Sequence, residues 1–436
     1  MSYVRSQLPD RIPWVDAWLP FLCIVAALAT NTWLVSPTVG YVVSVSVLAA
    51  TGAYVVFVSD VEIRIDVLFA VLFGGYWLLL AAGWLVDGSS ARLLYVAITP
   101  LSVVVAVFLL PAVVDRYRGE FIAGLTALGV AIATIGFGML LAERILEMSI
   151  HWWTGGFVYG VPGYRTNSVF ANPNTYGFLM MVCTISAVAH VANRGPGLAG
   201  IGAIALCGAA VVTSDSTAAL MGTGFGLAVF VAAIRRRLAI ALFVVGALAV
   251  VGLIAGVYTG LLSDLPFLGR IEALVGSLLA VRVVLWQASI ERLLVNPLVG
   301  IGFADTAAEI RPYVPDDGPV GFGTHNSYIH ILLQTGLVAG SLYLLAVFYA
   351  GAKATYSALL ADYRPAPATG GIGRWWPIYV LATLAAILVA LVFESMTIGG
   401  LSLDSVLVGL YLGLALSLSG SWLVRLRADH AARSIR

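Results

Sequence analysis

The sequence is short of charge. Only 10% of its 436 residues are Asp, Glu, Lys or Arg, where a soluble domain carries about a quarter. Acidic and basic residues nearly cancel, leaving a formal net charge of +1. With no basic stripe outside the short loops, nucleic acid is not an expected partner. Lysine is almost missing: Lys353 stands alone, and arginine fills the other basic positions. Cysteine is scarce too. Cys23, Cys183 and Cys207 lie inside apolar runs without CxxC spacing, so neither a disulfide framework nor a zinc site is indicated. No His, Cys or carboxylate group has metal-ligand spacing, and the expected metal and cofactor sets are both none. The N-terminal MSYVRSQLPDRIPW lacks a small-residue cleavage site after a short apolar stretch, so the first apolar run is expected to be a retained span.

Apolar length is what the chain has in abundance: 61% of residues are hydrophobic and the mean hydropathy is +0.99. Apolar runs of about 20 residues recur, each long enough to cross a hydrocarbon core about 30 Å thick. The expected fold class is an all-α polytopic membrane protein, one integral-membrane domain over 1–436 with about 12 transmembrane helices. The spans fall near 14–35, 39–58, 66–86, 92–114, 120–142, 175–193, 197–213, 217–234, 238–259, 326–350, 375–395 and 402–424. Charged and turn-rich punctuation separates them, including SDVEIRID, DRYRGE, NRGPG, IRRRL and ADYRPAPATGGIGR. With a cytoplasmic N-terminus, Arg64, Arg116, Arg118, Arg194, Arg235, Arg236, Arg237 and Lys353 all fall on inside segments, as the positive-inside rule requires. That orientation puts both termini in the cytoplasm and the chain in the cell membrane.

Two segments on the outer side are too long to be mere connectors. One is 143–174; the other is a large loop, 260–324, between the ninth and tenth helices. Both are rich in Trp, Tyr, Phe and Gly, which argues for folded rather than disordered chain. Within the second, residues 281–295 read as a helix stopped by Asn296-Pro297 and suited to the membrane interface.

Candidate chemistry collects at the outer ends of the spans. His325, in GFGTHNSYIHILLQTGLVAG, stands at the mouth of the tenth span. A neutral imidazole suits general-base work near pH 7; the plainer reading is a packing histidine beside Asn326 and Ser327, ordinary helix-start residues. His330 points about 140° away on the same helix and reads as structural. Arg165, Arg282 and Arg292 lie in the outer segments, where guanidinium forks can bind diphosphate oxygens or simply pair with carboxylates such as Glu291 and Glu309. Asn172 and Asn174 flank Pro173 in SVFANPNTYG, a pattern for a turn or for binding sugar hydroxyls. Asp215, in TSDSTAAL, is placed to orient an arginine or His325, or to sit in water. Glu394 is a carboxylate inside an apolar segment and needs a partner there.

Four stretches carry a resemblance: YRTNSVFANPN, TSDSTAAL, VRVVLWQASIERLLVNPLVGIGFAD and THNSYIHILLQTGLVAG. Together they resemble the O-antigen ligase/polymerase family of membrane glycosyltransferases, over about 160–350 by motif. The resemblance implies transfer of a glycan from a polyprenyl-diphosphate carrier to an acceptor hydroxyl on the outer face, without metal or cofactor. The implied partners are that lipid-linked donor, a glycan, lipid or protein acceptor, and membrane lipid. His325 matches the family's loop histidine, thought to activate the acceptor. Arg282 matches an arginine thought to engage the carrier diphosphate, and Arg165 an arginine before the Pro-Asn motif. The chain departs from the pattern at 213–220, where family members commonly carry Ser-Arg-Gly and this sequence has no arginine. The competing reading is a 12-span secondary transporter, which would be expected to show a half repeat and a charged midplane. A non-catalytic membrane scaffold is the third.

Overall fold

The computed structural model describes residues 13–88, 90–146, 156–158, 161–163, 165–234, 266–316, 318–319, 321–361 and 375–433. Local chemistry sets where its helices begin. α1 (Pro13–Leu28) opens on proline; α2 (Pro37–Phe57) follows Ser36, whose hydroxyl accepts from the Val39 N–H; α3 (Val67–Asp87) follows Asp66, which accepts from Phe69 N–H. These side chains satisfy amides that have no partner inside the first helical turn. Gly88, at φ 63°, closes α3 in the left-handed conformation. Then come α4 (Ser90–Val103), a π-helical turn (Val104–Leu109), α5 (Leu110–Arg116) and α6 (Arg118–Leu146).

A short antiparallel hairpin, β1 (Gly156–Val158) with β2 (Val161–Gly163), interrupts the helical order. α7 (Pro173–Arg194), α8 (Leu198–Thr213) and α9 (Thr217–Ile234) follow. α10 (Pro266–Val295) contains the expected 281–295 helix but starts earlier, and it ends at Asn296-Pro297 as read from the sequence. A small helix, α11 (Thr306–Ile310), precedes α12 (Ser327–Ala361), α13 (Trp375–Phe393) and α14 (Leu403–Arg433).

The chain is an all-α polytopic membrane protein. Among the described residues eight helical segments are long and apolar enough to cross a bilayer: 37–57, 67–85, 92–116, 118–143, 173–194, 217–234, 327–358 and 375–393. Three shorter apolar helices, 15–28, 198–213 and 403–418, occupy the positions expected for the first, seventh and twelfth spans. The expected ninth span, 238–259, lies outside the described residues. The first helix stops at Leu28 rather than continuing to 35. The reason is a pairing: Thr32 bridges to Phe170, the Ala171 N–H donates to Asn31 O at 2.8 Å, and the Trp33 indole donates to Ser168 O at 3.2 Å.

α7 is the central helix. Its residues from Thr175 to Ala187 are buried throughout, against α6, α8, α9 and α13. By contrast, large apolar side chains on the flanks of α2 and α3, such as Phe57, Val67 and Val71, are exposed, as expected for surfaces meeting lipid.

α12 is not one straight rod. It breaks at Gly336, with φ 75° and ψ 173°, and the Asn-Pro-Leu-Val-Gly-Ile-Gly segment plugs the break. Ile301 N–H donates to Leu333 O at 2.8 Å, Gly302 N–H to Gln334 O at 2.9 Å, and Leu337 N–H to Pro297 O at 2.7 Å. The approach is so close that a Cβ on Gly336 would lie 2.2 Å from Leu298 O, and one on Gly300 2.4 Å from Leu333 O. Backbone groups freed by the break are thereby satisfied within apolar surroundings, which an interrupted membrane helix requires.

Candidate active site

The start of α7, the end of α13, the 324–327 turn and the α8–α9 connection come together at one end of the bundle. Asn172 caps α7, its side-chain oxygen accepting from Asn174 N–H at 2.8 Å. Pro173 occupies the first helical position, where a missing N–H costs nothing. The capping geometry sends the Asn174 side chain across to α13, where its amide donates to Glu394 Oε2 at 2.7 Å. The other carboxylate oxygen, Oε1, lies 3.2 Å from His325 Nδ1. This approach is oblique to the ring N–H direction and falls short of a formed hydrogen bond.

His325 is held in an unusual conformation. Its φ is 44°, in the left-handed region that non-glycine residues seldom occupy. Everything around it is anchored. Asn326 caps α12 by accepting from the Tyr328 and Ile329 N–H groups, both at 3.0 Å. Ser327 donates to Glu394 O at 2.7 Å and accepts from Met396 N–H at 2.7 Å. The Thr324 hydroxyl meets Ser395 Oγ at 2.9 Å. The Phe322 ring sits 5.8 Å from the imidazole, centre to centre. The 324–327 turn and the 394–396 turn are thus tied together on both sides of the His325–Glu394 contact.

Arg165 pairs with Asp215, in the α8–α9 connection, through Nε and a terminal nitrogen. Asp215 is itself left-handed, at φ 54°, and so is Ser168, at φ 50°. The Thr166 N–H donates to Thr213 O at 2.8 Å, which holds the 165–170 segment along this connection. These three are the only non-glycine residues with positive φ among the described residues, and all three lie in or beside the candidate site. Such strain costs about 1–3 kcal/mol per residue and persists only where the surroundings enforce it. The connection that lacks an arginine in its own sequence therefore has one brought to it from the preceding segment.

Arg282, on α10, donates from Nε to Phe393 O at 3.5 Å, one residue before Glu394. Arg292 lies elsewhere. Ten residues further along the same helix, it forms a two-pronged pair with Glu309 at 3.0 and 2.7 Å and fastens α11 onto α10. The structure gathers His325, Glu394, Asn174, Asn172, Asn326 and Arg282 into one group, with Arg165–Asp215 at the α8–α9 connection. Arg292 belongs to the loop's internal packing. Neither the Glu394–His325 pairing nor the role of Ser327 as a strap was read from the sequence. The signal available for the first was Glu394's depth in an apolar run; the second left none, because a serine that starts a helix looks the same with or without a tertiary partner. Among the described residues no group of three or more His, Cys, Asp or Glu side chains could hold a metal ion.

Residues 202–344 match the O-antigen ligase family. Over that segment the chain is similar to this family. It is also 27% identical over 250 residues to the exopolysaccharide production protein ExoQ of Rhizobium meliloti (strain 1021), covering 51% of this chain and 55% of that protein. The chain thus spans about half the length of this curated relative. The family match takes in Asp215, Arg282, Arg292, His325 and Asn326, and stops short of Arg165, Asn172, Asn174 and Glu394. Half of the gathered side chains therefore come from parts of the chain outside the matched segment.

Proposed function

We propose that this protein is a membrane glycosyltransferase that moves a glycan from a polyprenyl-diphosphate carrier to an acceptor hydroxyl, on the outer face of the cell membrane. The single observation that carries the reading is the Asn174-bound Glu394 carboxylate lying 3.2 Å from His325 Nδ1, at φ-strained backbone beside Arg282. With Nδ1 turned to Glu394, Nε2 is the ring nitrogen that faces an acceptor. The nearby Glu394 carboxylate stabilises the imidazolium as it forms, as a carboxylate does for the histidine of a catalytic triad. Asn174 keeps the carboxylate from rotating away.

In the proposed step, the acceptor oxygen forms a bond to the anomeric carbon while the bond from that carbon to the carrier diphosphate breaks. The acceptor proton goes to His325 Nε2, and the leaving electron pair goes to the diphosphate. Negative charge develops on the departing diphosphate, so positive charge prearranged there lowers the barrier. Arg282 is the group we assign to it. Arg165, half neutralised by Asp215, is assigned to the glycan-proximal side. The starts of α7 and α12 both point toward this space, adding the positive ends of two helix dipoles. The orientation rests on the distribution of Arg and Lys over the loops.

The test is direct. Strains carrying His325→Ala or Arg282→Ala are compared with the parent by mass spectrometry of lipid-linked glycans and surface glycoconjugates, with membrane insertion checked in parallel. Both variants are expected to accumulate carrier-linked glycan. A flat carrier-linked pool with normal insertion would sink the transferase reading.

A further inference from the structure

The end of the bundle opposite the candidate active site holds a second feature. On α12 the stretch from Leu337, just past the break, to Lys353 spans about 24 Å, so Lys353 lies far from the His325 turn. Around it is a cavity of about 290 Å³, between the α2–α3 connection, α5 and the middle of α14. Its rim carries both signs of charge: Asp60, Glu62, Asp66 and Asp115 against Arg64, Arg116 and Lys353. Most of these are already matched. Arg64 donates to Glu62 at 2.8 Å, Arg118 to Asp115 at 3.0 Å, and Lys353 to Asp66. Arg116 differs. It is exposed on the rim over the Tyr117 ring, at 5.7 Å, and meets no carboxylate within ion-pair distance among the described residues.

An apolar slot of about 230 Å³ adjoins this cavity and shares Phe108 with it. It follows the seam between α3 and the α4–π-helical stretch, past Phe69, Phe73 and Gly74 to Trp77. Local chemistry shapes the seam. Pro100 has no N–H, so the Val96 carbonyl loses its helical partner, and the Trp77 indole donates to that oxygen at 2.9 Å. That bond fastens α3 to α4 at one end of the slot. Below it Gly74 leaves room, since a Cβ there would meet nothing within 4 Å. Gly74 lies on the helical row of Val67, Val71 and Leu78, all exposed, so the slot faces lipid. From Asp66 on the rim to Trp77 the rise is about 16 Å, half of a hydrocarbon core about 30 Å thick. A slot one leaflet deep, apolar inside and charged at its mouth, matches one lipid with a chain within and a headgroup on the rim.

The rim selects the headgroup. Its carboxylates outnumber its cations, so a headgroup with net negative charge meets repulsion there as well as Arg116. Phosphocholine has no N–H donor for the carboxylates. Phosphoethanolamine has a phosphate for the guanidinium fork and an ammonium with three donors. We propose that the seam is a binding site for phosphatidylethanolamine in the leaflet opposite the candidate active site. Its phosphate sits on Arg116, its ammonium among the rim carboxylates and one acyl chain in the slot, where it fastens α3 to the π-helical side of the bundle. The site stands whether or not the protein is a transferase.

The experiment titrates phosphatidylethanolamine, phosphatidylcholine or phosphatidylglycerol into the full-length protein in detergent. Bound lipid is read by native mass spectrometry and stability by thermal unfolding. A single phosphatidylethanolamine is expected to bind about tenfold tighter than either other lipid and to raise the melting temperature. Arg116→Ala should weaken it about tenfold, the loss of one charge-assisted contact, and Arg116→Lys should restore part of the affinity. Gly74→Phe fills the slot from an open position and should abolish binding with the rim intact. Melting of each variant without added lipid should match the parent, which separates a lost site from a damaged fold. Equal binding of all the lipids marks an unselective annular contact and overturns the proposal. Preference for phosphatidylglycerol also overturns it, as does phosphatidylethanolamine binding that survives either Arg116→Ala or Gly74→Phe. Displacement of the lipid by an equal concentration of tail-free glycerophosphoethanolamine removes the acyl seat, and the proposal with it.

Discussion

His325 pays for its position in backbone conformation. At φ 44° it is held by Asn326, Ser327 and Thr324, each bonded to neighbours that do not depend on the imidazole. His325→Ala should therefore insert and fold, and lose transfer by roughly 10²–10⁴-fold, the range for a general base. Glu394→Gln keeps the Asn174 contact in reach but removes the charge that stabilises imidazolium. Its expected effect is a smaller loss, on the order of tenfold to a hundredfold, with binding of the lipid-linked donor unchanged; steady-state transfer in membranes distinguishes the two variants. Arg165 and Asp215 make a different prediction. Asp215 is 6% exposed and Arg165 35%, so Arg165→Ala strands a nearly buried carboxylate. The loss of stability should be about 1–3 kcal/mol after allowing for the solvent reach of the arginine. Replacing both residues should recover most of it, measured by thermal unfolding in detergent.

At the scale of elements, the break in α12 is the feature with the sharpest consequence. The Gly300 and Gly336 backbones are in left-handed conformations and in contact with carbonyl oxygens. Gly336→Ala must displace Leu298 or straighten the helix, and a loss of about 2–4 kcal/mol is expected from strain and lost pairing. Gly208, in α8, has open space where a Cβ would go. Gly208→Ala should leave stability unchanged or raise it by about 0.5–1 kcal/mol, since alanine is the better helix former. A detergent melting series with both variants separates packing glycines from incidental ones. The Asp66 cap of α3 adds a pH effect. Burial alone would raise its carboxyl, but the Lys353 ammonium, the Phe69 N–H and the Tyr349 hydroxyl hold it below the usual carboxylate range. A carboxyl depressed on folding contributes stability above its unfolded value and loses it on acidification. The melting temperature should accordingly fall as pH drops below about 4, and Asp66→Asn should flatten that part of the curve.

Over the whole molecule, the orientation is open to a simple labelling test. The three native cysteines are buried, so background labelling by a membrane-impermeant maleimide should be low. Phe322, beside His325, is 49% exposed, and Glu62, in the α2–α3 connection, has a side chain that is 75% exposed. In intact cells or spheroplasts, Phe322→Cys should label from outside, and Glu62→Cys only after permeabilisation. The reverse pattern would invert the topology and move the candidate active site to the cytoplasmic face.

Helix positions were legible because burial in lipid demands long apolar runs, and because caps such as Ser36-Pro37 and Asn172-Pro173 satisfy the first-turn amides locally. His325 and Arg282 stood out because polar groups beside apolar runs are costly and therefore conspicuous. The early stop of α1 at Leu28 was hidden, since it depends on the pairing of 31–33 with the segment near Phe170. So was the break at Gly336: the GLVAG stretch is compatible with an unbroken helix, and only the 297–302 backbone docking into it stabilises the interruption. The pairing of Arg292 with Glu309 and the approach of Glu394 to His325 were hidden for the same reason. Which acid an arginine meets, and which base an acid meets, depends on the packing of helices far apart in the chain, and no local pattern records it. The sequence therefore decided that this chain crosses a membrane and which residues have chemistry to offer; the tertiary structure decided which of them stand close enough to use it.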